Sequence, residues 1–387
     1  MKELFIEYGY VSLNKFGEEL CGDNVEGVTV DGYTTLVLAD GLGSGVKANI
    51  LSTLSSKILC TMVSNNIPIE DCIETMIQTL PVCKVRGVAY STFSVIHVDS
   101  NGRGYLFEFD NPQAVYWHEG RCMDFDRKPL EVLGKKVYHS ELSLCDGDIV
   151  LIMSDGTIHA GIGRVLNFGW DRREIMEHLD RNIKPEMSAR CVAWLLAAAC
   201  NDLYMDKPGD DTTVAALKMR EALHVNLMVG PPVNKENDDY YVAKFMEGDS
   251  RKVVCGGTSS QIVARYLGKK VTTSLDFPDK EIPPIGHIDG IDLTTEGVIT
   301  LRRLLELTEK YISPNDLTPK MFTKQDGASL LARMLLEEAT HITFFVGQGV
   351  NKAHEGLPID TTLKLKLIER LASSLKAIGK VVEIHYA

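Results

Sequence analysis

The chain has no apolar run near the roughly 18 to 20 residues that a membrane-spanning helix needs, and its opening Met-Lys-Glu-Leu-Phe-Ile-Glu-Tyr-Gly-Tyr lacks a secretory pattern. The expectation is a cytoplasmic protein with no membrane partner. Its nine cysteines include no Cys-x-x-Cys pair, and their odd number and irregular spacing argue against a zinc knuckle or a disulfide framework. None has arginine six positions later, so the loop of a cysteine-based phosphatase is also missing. Dense basic surface is absent as well: the net charge of −12 disfavours nucleic acid as a partner. The ten histidines show no His-Glu-x-x-His spacing and are read as structural or surface residues. No internal repeat and no low-complexity tract is present.

What is present fits a soluble globular protein, 44% hydrophobic and 24% charged. At 387 residues the chain exceeds one ordinary core, so two domains are expected. Hydrophobic periods divide it near Met219-Arg-Glu-Ala222, giving a first domain over 1–220 and a second over 221–387. In the first, residues 27–39 read as a hairpin turning at Asp31-Gly32, and Ser44 to about Val63 as a helix with Val46, Ile50, Leu54, Ile58 and Met62 on one face. A second helix is expected over 69–80. Strands are expected near 89–98, 103–109, 113–118, 136–142, 148–153 and 212–218, with helices near 172–181 and 186–205. Helices segregated from a run of strands give an α+β layered domain. In the second domain strands near 224–229, 252–255, 341–346 and 381–384 alternate with helices, which implies a smaller α/β domain with a mainly parallel sheet.

Three strand ends carry acid. Val37-Leu-Ala-Asp-Gly-Leu-Gly-Ser-Gly45 delivers Asp40 onto a glycine-rich turn that opens a helix, and Asp148-Ile-Val-Leu-Ile-Met-Ser-Asp-Gly156 ends an apolar run at Asp155. Gly209-Asp-Asp-Thr-Thr-Val214 places an acidic pair before a strand. Carboxylates fixed on strand ends are hard oxygen ligands suited to Mg²⁺ or Mn²⁺. Two such ions lower the pKa of a bridging water and neutralise phosphoryl oxygens, a route through the very slow hydrolysis of phosphate monoesters. An Asp-Gly after a strand is commonly only a turn, and Asp31-Gly32, Asp146-Gly147 and Asp326-Gly327 are read that way. The glycine run 41–45 matches neither the dinucleotide nor the Walker pattern.

Taken in order, Gly22-Asp23-Asn24, Ala39-Asp40-Gly41-Leu-Gly-Ser-Gly45, Gly87 through Thr92-Phe-Ser-Val95, Asn111-Pro112, Gly147-Asp148 through Ser154-Asp155-Gly156 and Asp210-Asp211-Thr-Thr-Val214 resemble the metal-dependent PP2C protein phosphatases, within them the bacterial SpoIIE-type branch. The resemblance spans about residues 5–218 and implies a PP2C-like α-β-β-α sandwich. It implies two divalent ions, Mn²⁺ or Mg²⁺, with Asp40 bridging them and the Gly41 carbonyl binding one. Asp155 and Asp210 would complete the first site, Asp23 would contribute to the second, and Asp211 would stand behind the ligands. The implied activity is hydrolysis of phosphoserine or phosphothreonine on a partner protein, such as an anti-sigma-factor antagonist, by metal-activated water. The phosphate-binding arginine of eukaryotic members has no equivalent here, which leaves Lys47 or the amides of 43–46 to hold the phosphate. A homodimer, an inactive binding scaffold and a C-terminal enzyme regulated by the N-terminal domain stay open as alternatives.

The second domain has its own candidate. Val253-Val-Cys-Gly-Gly-Thr-Ser-Ser-Gln261 runs from a strand through two glycines into a hydroxyl-rich helix start, the makeup of an anion pocket at Gly256, Gly257, Thr258 and Ser259. Val346-Gly-Gln-Gly349 follows another strand, and Asp289-Gly-Ile-Asp-Leu-Thr-Thr-Glu296 reads as a loop into a capped helix. The competing reading makes Thr258, Ser259 and Thr294 plain N-caps. The domain is expected to sense a small-molecule or protein ligand.

Overall fold

The computed structural model describes residues 3–79, 91–273, 282–313, 324–349 and 359–387. They form two compact units, Met1–Glu221 and Ala222–Ala387. Gly87 and its neighbours lie outside the described residues.

The first unit stacks two antiparallel sheets. One has the order β2 (Asp23–Val30), β3 (Tyr33–Gly41), β4 (Ser91–Asp99), β5 (Arg103–Phe109), β9 (Lys135–Ser143), β8 (Lys128–Val132). The other has the order β1 (Leu4–Leu13), β11 (Thr212–Glu221), β10 (Ile149–Met153), β6 (Val115–His118), β7 (Arg121–Met123). Alternation along the strands builds two cores at once. Leu36 and Leu38 of β3 face Ile152 and Leu217 of the other sheet, while Val37 and Ala39 face outward to Leu59, Cys60 and Ile73 of α1 (Gly45–Ser64) and α2 (Ile69–Thr79). The helices α3 (Arg172–Asn182) and α4 (Ala189–Leu203) complete the unit, α4 packing on β1 and β11. This is the α-β-β-α sandwich that the resemblance implies.

Two local features depart from the sequence reading. The strand β1 was not among the expected elements, because its ladder to β11 joins Leu4 to Glu221 and Leu13 to Thr212, and no turn near it in sequence signals that pairing. The first half of the apolar face of α1 points outward, with Val46 60% exposed, Ile50 52% and Leu54 50%, while Ile58 and Met62 pack against the core under the helix. The face turned to the sheet is built instead from Ala48, Ser52, Ser55 and Ser56, with Leu59, Cys60 and Val63 further along. Close approach explains the choice, since a Cβ on Gly41 of β3 would lie 2.2 Å from the Ala48 carbonyl oxygen. Small residues let the helix backbone come that near, and their hydroxyls find partners at Asn49, Leu51 and Thr53.

The second unit has one seven-stranded sheet. Its parallel part runs β16 (Leu293–Thr295), β13 (Arg251–Cys255), β12 (His224–Val229), β17 (His341–Val346), β18 (Val381–Tyr386), and β14 (Thr272–Thr273) and β15 (Gly286–His287) extend it antiparallel. Both faces are covered, as a parallel sheet requires. Helices α5 (Asp238–Met246) and α6 (Gly257–Leu267) lie on one face. Helices α7 (Val298–Ile312), α8 (Gly327–Arg333) and α9 (Ile359–Ala377) lie on the other. Leu293–Thr295, expected as part of a loop, is therefore a strand beside β13, too short to show an alternation of its own. Asp326-Gly327, read as a turn at the head of a helix expected over about 326–338, caps α8: the Asp326 carboxylate accepts the Ser329 amide at 2.9 Å and its hydroxyl at 2.7 Å.

Candidate metal centre

Hairpin geometry brings the first two carboxylates together. Asp31 and Gly32 both take positive φ, 51° and 80°, the requirement of a tight two-residue turn. Counting back from that turn, Asp23 at the start of β2 stands opposite Asp40 near the end of β3. Asparagine side chains anchor this end of the hairpin to α1, with Asn24 Nδ2 donating to Ser56 Oγ at 2.6 Å and Asn49 Nδ2 to the Cys21 carbonyl at 2.8 Å. Gly41 follows Asp40 where no side chain fits.

The other sheet supplies the second pair. The Ser154 amide donates to the Thr213 carbonyl at 2.9 Å, and the Thr213 amide donates to Ser154 Oγ at 2.8 Å. This pair of hydrogen bonds aligns the end of β10 with the start of β11, which sets Asp155 beside Asp210. Among the described residues, Asp155, His159 and Asp210 offer ligand atoms within 4.8 Å of one another. His159 Nδ1 lies 3.9 Å from Asp155 Oδ2, one helical turn on in Asp-Gly-Thr-Ile-His. Asp211 turns inward, where its Oδ1 accepts the Lys15 amide at 3.0 Å. Asn111 is also structural in its contacts, accepting from Thr92 Oγ1 at 2.5 Å and donating to Ser94 Oγ at 3.1 Å.

Burial and mutual repulsion raise the carboxyls of Asp23, Asp40 and Asp155 in this cluster. Asp23 is 4% exposed, and neither of its oxygens has a well-formed hydrogen bond among the described residues. Burial holds its carboxyl well above the usual range, the nearby Ser154 and Thr213 hydroxyls offset part of that, and the charges of Asp211 and Asp155 add to it. Burial likewise raises Asp40, and Asp23, Asp155, Asp210 and Asp211 all push it further. Asp155 is raised by burial and by Asp210, with His159 pulling the other way. Carboxylates that disfavour one another's ionisation, one of them with no partner for either oxygen among the described residues, match the donor set of hard divalent ions. Asp23, Asp40, Asp155 and Asp210 thus fit the metals that the fold implies.

Sequence reasoning passed over two residues here. His159 was set aside with the other histidines, although its spacing of four from Asp155 was a usable signal. Lys15 brings its Nζ within 3.6 Å of Asp210 Oδ1, a placement that only the β1 to β11 pairing creates. Lys47 is exposed on the first turn of α1. At that helix start Ser44 Oγ donates to Glu18 Oε1 at 3.2 Å, so a carboxylate already stands where a phosphate was expected.

Two stacked sheets flanked by helices, with acidic strand ends meeting between them, define a PP2C-type phosphatase domain. Residues 30–220 match the family model described as stage II sporulation protein E (SpoIIE). No curated protein matches the chain. Among solved structures, it is similar to the phosphatase domain of the cell fate determinant SpoIIE from Bacillus subtilis, at 18% identity and a TM-score of 0.45 over 57% of this chain and 95% of that one. The RsbU and RsbW domains of a Mycobacterium tuberculosis protein align at 17% identity and a TM-score of 0.45 over 63% and 68%. RsbX, solved in complex with magnesium, aligns at 21% identity and a TM-score of 0.39 over 57% and 100%.

Proposed function

We propose that the N-terminal unit hydrolyses phosphoserine or phosphothreonine on a partner protein, with two divalent ions, Mn²⁺ or Mg²⁺, as cofactors. One observation carries the reading: Asp23 and Asp40 from one sheet and Asp155 and Asp210 from the other meet at one edge, and the buried oxygens of Asp23 have no well-formed hydrogen bond among the described residues. The bound ions would acidify a water and neutralise phosphoryl charge. The chain's part is to hold that charge in place. Asp40, opposite Asp23 and repelled by Asp155 and Asp210, is the carboxylate we assign to both ions, with the Gly41 carbonyl beside it as a further oxygen ligand. Asp211, clamped by the Lys15 amide, fixes the loop that presents Asp210. Lys15 stands at the rim beside Asp210 and is the cation we assign to a phosphoryl oxygen, in place of the missing arginine.

Family membership supports a phosphoprotein as substrate, and an anti-sigma-factor antagonist is the first candidate to try. Hydrolysis of p-nitrophenyl phosphate with Mn²⁺ tests the chemistry. Asp40→Asn should lower it by about a thousandfold, some 4 kcal/mol of transition-state stabilisation. Activity that persists in Asp40→Asn would remove the site assignment, and no activity in the wild type with any divalent ion would favour a binding scaffold. Phosphosites that accumulate both in a deletion strain and in an Asp40→Asn strain would then name the substrate.

A further inference from the structure

The C-terminal unit has a cleft of about 110 Å³ at the carboxyl edge of its parallel sheet. It opens where the strand order reverses: β13 and β16 lie to one side of β12, and β17 and β18 to the other. Open α/β sheets place ligands at that position. Gly230, Gly256, Ser259, Glu296, Gly297 and Lys364 line it.

Two helix starts converge on the cleft. The N-cap of α6 is Gly256, with φ 112° and no side-chain cap, and the N-cap of α7 is Gly297, where the neighbouring Glu296 takes the Ile299 amide and leaves the α6 start as the open one. A Cβ on Gly297 would lie only 3.6 Å from the Gly256 Cα, so the two starts stand side by side. Each brings roughly half a positive charge. The expectation that Thr258, Ser259 and Thr294 are N-caps does not hold: glycines take the caps, and Thr294 lies in β16. This frees Ser259 for something else. The residue is 1% exposed and its Oγ has no hydrogen-bond partner among the described residues. An orphan buried hydroxyl costs about 1 to 3 kcal/mol, which a ligand acceptor would recover. A buried cation completes the set: Lys364 Nζ donates to the Gly347 carbonyl at 2.6 Å and lies 2.6 Å from where a Cβ on Gly230 would sit. Glycine at 230 is what leaves room for it.

We propose that this cleft binds the phosphoryl group of a hydroxylated small molecule, a nucleotide or a sugar phosphate. The first amides of α6 and the Ser259 hydroxyl grip the phosphoryl oxygens, and Lys364 offsets the charge that two helix starts alone do not balance. Glu296, whose Oε2 accepts the Ile299 amide at 3.2 Å at the cleft wall, gives a carboxylate for a ligand hydroxyl. A bare anion has no use for that group, so a phosphate ester should bind more tightly than inorganic phosphate.

Titration calorimetry on the full chain in the Asp40→Asn background with EDTA keeps the metal centre out of the measurement. The probes are inorganic phosphate, ribose 5-phosphate and AMP, with ribose and adenosine as controls. Binding should require the phosphate, with the esters ahead of inorganic phosphate. Ser259→Ala should weaken it about tenfold. Gly257→Asp, which meets open space and places an acid at a helix start where it does not destabilise, should weaken it about a hundredfold without lowering Tm. No binding of any phosphate at millimolar concentration, or binding that both variants leave unchanged, overturns the site. Inorganic phosphate binding as tightly as both esters overturns the hydroxylated carrier.

Discussion

Both units end strands in glycine-rich turns that open helices, yet one turn gathers negative charge and the other gathers donors. In the N-terminal unit the glycine of Asp40-Gly41 follows a carboxylate, and three further carboxylates arrive from other strand ends. In the C-terminal unit Gly256-Gly257 follows the buried thiol of Cys255, and a lysine and an unpartnered serine hydroxyl arrive instead. The backbone pattern is therefore shared, and the sign of the ligand is set by the side chains that distant segments bring. Antiparallel stacking makes the first site from two sheets, whereas the second uses the carboxyl edge of a single parallel sheet.

The glycines give the sharpest way to break this comparison. Gly41→Ala drives a methyl to 2.2 Å from the Ala48 carbonyl and should cost about 2 to 3 kcal/mol, read in urea unfolding of the N-terminal unit. Gly257→Ala meets nothing within 4 Å and should change stability by about 0.5 kcal/mol or less. Equal losses would mean that the two turns are packed alike.

Proton linkage separates the units next. The carboxyls of Asp23, Asp40 and Asp155 are all raised in the folded protein. The folded state then holds protons that the unfolded chain has released above about pH 4, so stability falls as pH rises from there through neutrality. The Tm of EDTA-treated protein should drop between about pH 5 and pH 8. Mn²⁺ should abolish the drop and release protons on binding, measurable in weakly buffered solution. A transition in the C-terminal unit should not share this dependence, and a metal-free Tm that rises over the interval would refute the carboxylate cluster.

The smallest effect belongs to the outward face of α1. Ile50→Ser should alter stability by no more than about 0.5 kcal/mol, while Leu59→Ala on the buried side should cost about 2 to 5 kcal/mol. Reversed magnitudes would show that the apolar stripe faces a core after all.

Much of the site was legible because an Asp-Gly at the end of an apolar run is a local feature. The hairpin of β2 and β3 was legible for the same reason, its turn residues being adjacent. Lys15 was not, since it reaches Asp210 only through a pairing of segments some two hundred residues apart. His159 was legible in its spacing from Asp155, but it belongs to no His-Glu-x-x-His pattern and was grouped with the other histidines.

The sequence by itself determined which residues share a strand or a helix face, where turns fall and which carboxylates stand at strand ends, because φ/ψ preferences and side-chain periodicity act over a few residues. Only the tertiary structure decided which face is buried. The face of α1 with larger apolar residues lost its place to a serine-rich one, because the helix lies too close to Gly41 for anything bulkier. Tertiary structure also decided that Ser259 faces a cleft instead of capping a helix, since Gly256 takes the cap and Gly297 of another loop closes beside it. Burial and pairing depend on contacts between segments far apart in the chain, and periodicity contains no information about them.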